Sequence, residues 1–181
     1  MERMWNPWRM VYIRSAKKKS KGCIFCNKFR LGAKKDRADL VLWRGERACA
    51  MLNLYPYTNG HLMVTPLEHT GNLEELDGET LREMMLLVSH SIRALRRVMQ
   101  PDGFNIGVNM GKVAGAGVED HVHIHIVPRW NGDTNFMPVF GEVRMIPELL
   151  RQTYDRLLVA FEAERTKSRK PPTRIRRQKE R

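Results

Sequence analysis

Three of the six histidines in the sequence fall within five residues, in the segment from His121 to His125. In a β-strand, alternate side chains project from the same face at steps of roughly 6.6 Å. We therefore expect His121, His123 and His125 to form a row of imidazoles while Val122 and Ile124 enter the core. A solvent-exposed strand face can be built from Thr, Lys or Glu and does not need three histidines. The row therefore indicates a functional site rather than an ordinary exposed face.

A glycine-rich loop from Asn109 to Gly117 ends four residues before this segment. Glycines let backbone N–H groups come close to an anion. Together, the loop and the histidine row indicate a site for a phosphate group.

Two of the three cysteines, Cys23 and Cys26, are separated by two residues. This spacing lets two thiolates converge on one metal ion or form a redox couple, and the pair alone does not choose between them. Cys49 lies in an apolar run and is expected to be a small buried residue. Three cysteines do not make a disulfide framework, which fits a cytoplasmic protein.

The elements that must position these residues follow from the hydrophobic pattern. Short aliphatic and β-branched runs predict five strands of one antiparallel sheet, at residues 39–43, 48–52, 61–65, 105–109 and 121–127. Apolar residues at helical spacing before Pro101 predict a long helix with one core-facing stripe, made of Leu81, Met84, Met85, Val88, Ile92, Leu95 and Met99. A second helix is predicted to begin near Pro147 and to bury Leu150, Tyr154, Leu157 and Phe161. This order of elements predicts an α+β domain with the helices on one face of the sheet.

The net charge of +12 is concentrated at the two ends of the 181-residue chain. Residues 1–21 carry seven basic and one acidic side chain, residues 164–181 carry nine and two, and residues 22–163 carry 16 and 17. We therefore expect a basic, aromatic N-terminal arm (1–21), a single folded domain (22–163) and a basic, disordered tail (164–181). A nucleic-acid partner is expected for the tail at most. No apolar run reaches the roughly 18 residues of a membrane span, so we expect a soluble protein with no membrane partner.

The segment from His121 to Val127 matches the pattern His-φ-His-φ-His-φ-φ, with φ apolar, and so resembles the histidine triad (HIT) family of nucleotide-binding proteins. Residues 53–69 are similar to the family's upstream strand–turn–strand unit, and the Cys23–Cys26 pair is similar to its zinc-bearing branch. The resemblance covers about residues 22–163 and implies a HIT-like antiparallel sheet with a long helix and a C-terminal helix packed on it. Four stretches look most like the bacterial diadenosine tetraphosphate (Ap4A) phosphorylases of the family: residues 6–10, 109–111, 128–136 and 146–150.

This resemblance implies an enzyme that converts Ap4A and phosphate to ATP and ADP through a nucleotidyl-histidine intermediate. It assigns His123 as the nucleophile, His125 as a contact to the same phosphate, and His61 as a side chain that orients an active-site histidine. A role for His123 as a metal ligand is the alternative, and the family's metal uses other positions. With water in place of phosphate, the enzyme would hydrolyse dinucleotides or nucleoside phosphoramidates.

The resemblance also assigns nucleotide contacts to Asn53, Asn109, Gly115, Gly117 and His125. Many relatives carry Ser or Thr in the loop before the triad, where this sequence has Gly115-Ala-Gly117. The contact to the leaving group is therefore left open.

Zinc-bearing relatives imply a structural zinc ion held by Cys23, Cys26, His69 and His121. The spacing alone does not choose His69 over His61 or His90, and free thiols are the alternative. No organic cofactor is expected. Because HIT domains pair across a two-fold axis, we expect a homodimer, or a tetramer extended by the aromatic arm.

Two functions of other classes fit parts of the sequence. A zinc-containing nucleic-acid-binding module would use the cysteine pair and the basic ends, but it predicts a basic core, and the core is nearly neutral. A nucleotide sensor without turnover would keep the pocket, but nothing in the intact triad indicates a loss of turnover.

Overall fold

In the part of the chain that the structure describes, five antiparallel strands form one sheet in the order β1-β2-β3-β5-β4. The computed structural model describes residues 22–133 and 148–168, so the predicted arm, the predicted helix start at Pro147 and the tail from residue 169 lie outside the described residues. The strands are β1 (Val41–Arg44), β2 (Ala48–Leu52), β3 (Leu62–Pro66), β4 (Gly103–Val108) and β5 (Ile124–Arg129). The predicted antiparallel α+β fold is confirmed.

Within the described residues 22–133 and 148–168, four α-helices accompany the sheet, with bounds α1 (Ile24–Arg30), α2 (Asp36–Asp39), α3 (Gly78–Met99) and α4 (Leu150–Ser168). The connections among these described elements include the single 3-10 turns Ala33–Lys35 and Leu73–Glu75. The short helices α1 and α2 were not predicted from the sequence.

The long helix α3 begins at a capped N-terminus, because the Asp77 carboxylate accepts a hydrogen bond from the Thr80 N–H at 2.7 Å. It ends at Met99, and the next residue, Gln100, has a left-handed backbone and precedes Pro101. The predicted core stripe is wrong at one position, since Met85 is 58% exposed. Ser91 and Ala94 lie buried instead, because the buried face of α3 is rotated about the helix axis from the predicted stripe.

The sheet separates two hydrophobic clusters. The larger one lies between the sheet and helices α3 and α4, and includes Leu62, Ile126 and Phe161. The smaller one lies on the opposite face, where α1 places Phe25 beside Met51 and Met63. Cys49 belongs to this second cluster and is fully buried, as predicted.

The last helix continues five residues past the predicted domain boundary at residue 163. Glu164 is buried there, and its carboxylate accepts a hydrogen bond from the Arg93 guanidinium of α3 at 2.6 Å. His90 lies beside the same carboxylate, at 3.7 Å, and stacks on Trp43. Packing between α3 and α4 therefore keeps the residues just after 163 helical, although their composition resembles that of a tail.

Two glycines allow backbone to approach closely beside the histidines. Gly60 has φ +77°, and a Cβ there would lie 2.5 Å from Met99 Sδ at the end of α3. A Cβ on Gly71 would lie 2.4 Å from the Glu119 carbonyl oxygen. Glycine at these positions therefore lets the turns that carry His61 and His69 pack closely on the rest of the domain.

No helix within residues 22–133 or 148–168 has the length and apolar character needed to span a membrane.

Candidate functional site

The three histidines of the row lie on one side of the sheet, as their alternation predicts. Strand β5 begins only at Ile124, so His121 and His123 precede it. The intervening Val122 and Ile124 nevertheless enter the helix-side core. The rings of His123 and His125 have their centroids 4.7 Å apart. The row is therefore built by alternation that starts before regular strand pairing.

His123 is nearly enclosed, with 3% of its surface exposed. Its Nδ1 lies 2.9 Å from the backbone carbonyl oxygen of His121, so Nδ1 carries the proton and donates to that oxygen. The remaining nitrogen, Nε2, then holds a lone pair. Burial lowers the pKa of His123, which keeps the imidazole neutral and this lone pair available.

His125 has the opposite arrangement of its ring proton. The Tyr57 backbone N–H donates to His61 Nδ1 at 3.1 Å, so His61 carries its proton on Nε2. His61 Nε2 lies 2.9 Å from His125 Nδ1 and donates to it. The proton of neutral His125 is therefore on Nε2, which can donate a hydrogen bond to an anion. Burial, and then the neighbouring His123, lower the pKa of His125 to about 4.

Asn53 and Tyr57 surround His61. Asn53 Oδ1 accepts from the Tyr55 N–H at 2.9 Å, which leaves its amide nitrogen 3.4 Å from His61 Nδ1. The Tyr57 ring packs on His61 with centroids 4.7 Å apart, and on His125 at 5.9 Å. Tyr57 could not be predicted as a site residue from the sequence, because it lies in a turn without hydrophobic periodicity.

The glycine-rich loop is exposed between β4 and the triad. Its Gly115 N–H donates to the Lys112 carbonyl at 3.0 Å, so that amide already has a partner within the loop. Gly115 has φ +85°, a conformation that favours glycine. Asn109 and Gly117 lie at the two ends of this loop.

Gly107 of β4 pairs with His125 across the sheet. Cross-strand partners project to the same face. A Cβ at position 107 would meet nothing within 4 Å.

A second cluster brings together Cys23, Cys26, His69 and His121, whose ligand atoms all lie within 4.8 Å of one another. The His121 Nδ1 atom lies 3.3 Å from Cys23 Sγ, 3.3 Å from His69 Nδ1 and 3.6 Å from Cys26 Sγ. The Cys26 Sγ to His69 Nδ1 distance is 3.4 Å. Ligand atoms of a tetrahedral zinc ion lie about 3.3 to 3.8 Å apart, given its usual Zn–N and Zn–S bond lengths. These four distances lie in that range, and two thiols with two imidazoles are donors that zinc prefers.

Backbone contacts orient the two histidines of this cluster. His121 Nε2 donates to the Pro66 carbonyl at 2.9 Å, which leaves Nδ1 free of a proton and directed at the cysteines. The Val122 N–H donates to the Thr70 carbonyl at 2.7 Å, next to His69. Burial raises the pKa of the Cys26 thiol, and Cys23 raises it further. A bound cation would offset both effects and favour the thiolates.

An antiparallel five-stranded sheet with a histidine row and this loop defines a histidine triad protein, and the chain belongs to the HIT family. The HIT domain matches residues 34–132. The chain is 40% identical over 166 residues to the AP-4-A phosphorylase of Mycobacterium tuberculosis, which covers 90% of this chain and 84% of that protein.

Two further relatives support the assignment. A HIT-like protein of Methanocaldococcus jannaschii is 34% identical over 126 residues, covering 68% of this chain and 91% of that protein. Among solved structures, the Zn-bound histidine triad family protein of Mycobacterium smegmatis has a TM-score of 0.64 and 29% identity, covering 81% of this chain and 97% of that one.

Proposed function

We propose that this protein is an Ap4A phosphorylase, which converts Ap4A and phosphate to ATP and ADP. The observation that carries the proposal is the pair of opposite tautomers, a lone pair on His123 Nε2 beside an N–H on His125 Nε2. A nucleotidyl transfer needs both a nucleophile and a donor to the phosphate oxygens. The 40% identity to an AP-4-A phosphorylase supports this choice of substrate.

In the first step, His123 Nε2 attacks the α-phosphorus of one adenosine. The bond between that phosphorus and the bridging oxygen breaks, and ATP leaves with the electron pair as a phosphate anion. The imidazole becomes positively charged while Nδ1 still donates to the His121 carbonyl. His125 donates to the oxygens of the transferring phosphoryl group and stabilises the charge that develops there.

In the second step, an oxygen of inorganic phosphate attacks the same phosphorus. The N–P bond breaks, its electron pair returns to His123 Nε2, and ADP is formed. His61 acts through His125, because its N–H fixes which nitrogen of His125 carries the proton. The nucleotide contacts proposed for Asn53, Asn109, Gly115 and Gly117 place the adenosine and the phosphates at this histidine pair.

We also propose that Cys23, Cys26, His69 and His121 bind a structural zinc ion. The ion would tie α1 and the turn at His69 to the start of the triad. The protein needs no organic cofactor in this scheme and is proposed to act in the cytoplasm as a homodimer. The enzyme domain is proposed to extend from about residue 22 to the end of α4, with the basic tail outside it.

Product analysis tests the proposed reaction. Incubation of the protein with Ap4A and phosphate is expected to give ATP and ADP in equal amounts, with ³²P from labelled phosphate in ADP. Without phosphate, a single equivalent of ATP per active site is expected, because the nucleotidyl-enzyme then accumulates. Continued turnover to ATP and AMP without phosphate would instead establish a hydrolase.

The pH dependence of the first step follows from the lowered pKa values of His123 and His125. An ordinary histidine has a pKa of about 6.5, so its lone pair is half lost at that pH. With both pKa values lower, we expect the rate of ATP release to stay constant as the pH falls from 8 through 6.5, and to decline only in more acidic solution. The measurement is single-turnover cleavage at subsaturating enzyme without phosphate, with metal content and circular dichroism followed at each pH. A midpoint at or above pH 6.5 would contradict the assignment.

A further inference from the structure

Helix α1 places an aromatic side chain between the two cysteines of the metal cluster. Phe25 lies in the segment Cys23-Ile-Phe-Cys26 and is 1% exposed. Its ring points at the sheet, where it joins the cluster of buried residues opposite the helical layer. The whole of helix α1 is short and has seven residues.

The Phe25 ring contacts two histidines with different roles. Its centroid lies 5.1 Å from that of His121, a ligand of the metal cluster, and 5.2 Å from that of His123. The planes are tilted by 57° and 49°, an ordinary geometry for packed aromatic rings. The Phe25 side chain thus contacts both the metal cluster and the proposed nucleophile.

The His123 ring is held on three sides. Its Nδ1 donates to the His121 carbonyl, its edge meets His125 at 4.7 Å in a T-shaped contact, and Phe25 covers a further side. The hydrogen bond fixes the tautomer, but a single bond still permits the ring to tilt about it. Phe25 removes that freedom, because a displaced imidazole would collide with the phenyl ring.

Phe25 in turn depends on the cysteines that flank it. A seven-residue helix is not stable by itself in water. Helix α1 is anchored at Cys23 and Cys26, and farther along by Lys28 Nζ, which donates to the Asp39 carbonyl at 2.6 Å. The position of the Phe25 ring is therefore set by the two flanking cysteines together with the buried residues around it.

We infer that Phe25 is a positioning residue for His123, and that it couples the metal cluster to the nucleotidyl transfer step. This inference rests on the proposed function, since it assigns a role in the chemistry of His123. An attacking atom misplaced by about 1 Å loses on the order of 100-fold in rate. A partial loss of support at Phe25 is expected to cost about tenfold in the first step, with little change in substrate binding.

The test compares Phe25→Leu with Phe29→Leu. Phe29 is on the same helix and contacts His121 at 6.0 Å, so it is a matched control for lost packing beside the metal cluster. Three quantities are measured on zinc-loaded protein: the single-turnover rate of ATP release from Ap4A, the Kd for a non-cleavable Ap4A analogue, and the ¹H–¹⁵N correlation of the His123 ring. The His123 signals are assigned by their absence in His123→Asn.

We expect Phe25→Leu to release ATP about tenfold more slowly, with normal zinc content and Kd, and to show broadened or shifted His123 ring signals. Phe29→Leu is expected to match the wild type in all three measurements. Equal rates and equal His123 spectra in the two variants would overturn the inference. Should Phe25→Leu fail to fold, Phe25→Met, whose longer and more flexible side chain can adapt to the same space, is measured instead.

Failure of the proposed function would look different. Wild-type protein that releases no ATP from Ap4A would overturn the phosphorylase assignment, whatever the variants do. The His123 ring spectrum would still report in that case whether Phe25 holds the imidazole in place.

Discussion

The variant His123→Asn is expected to lose Ap4A cleavage by at least about 10³-fold while it still binds the substrate. Asparagine places an amide N–H near the position of histidine Nδ1, so the hydrogen bond to the His121 carbonyl can persist. It offers no lone pair in place of Nε2, and no covalent intermediate can form. The measurements are ATP release under single-turnover conditions and the Kd of a non-cleavable Ap4A analogue.

His90→Asn is the control for this substitution. His90 is a buried histidine on helix α3, where it stacks on Trp43 on the helical side of the sheet. We expect His90→Asn to cleave Ap4A at a normal rate, even if it loses some stability. An unchanged rate in His123→Asn would remove His123 from the mechanism.

Loss of one ligand from the metal cluster is expected to have the second large effect. Cys26 contacts both His69 and His121, so Cys26→Ala removes a ligand at the centre of the cluster. A structural zinc ion contributes folding free energy, and a loss of about 3 kcal/mol would lower the Tm of a domain of this size by roughly 10 °C. We expect Cys26→Ala to melt at least that much lower than the wild type, with no bound zinc after purification.

Cys49→Ala provides the comparison, since Cys49 is a buried thiol outside the cluster. It is expected to keep one zinc per chain and to lose only a little stability. A chelator should lower the Tm of the wild type and of Cys49→Ala, and leave that of Cys26→Ala unchanged. A full complement of zinc in Cys26→Ala would show that the cluster is not the metal site.

The sequence predicted the sheet and the two long helices because their hydrophobic periods are regular. Alternation around His123 placed Val122 and Ile124 in the core even though regular pairing begins only at Ile124. The stripe of α3 was wrong at Met85, because the sequence does not say how far a helix is rotated against its sheet. The burial of Glu164 was not predicted, because the residues after 163 have the composition of a tail. Its burial depends on an ion pair with Arg93 of another helix.

The site was predicted only in part from the residues themselves. The histidine row was visible in the sequence, while the choice of His69 and His121 as partners of the cysteines came from the family resemblance. The tautomers depend on contacts over long sequence separations, such as His61 with His125, and on a backbone N–H at Tyr57. Phe25 gave no signal, since one apolar residue between two cysteines has no pattern of its own.

The pairing of Gly107 with His125 bears on how the substrate range of this fold could change. Because glycine has no side chain, the space next to the His125 imidazole on this face of the sheet stays open, whereas any other residue at position 107 would place a side chain there. The fold does not require this emptiness, because a Cβ there touches nothing within 4 Å. A substitution at position 107 can thus change the size of the group that fits next to His125 without changing the stability of the domain.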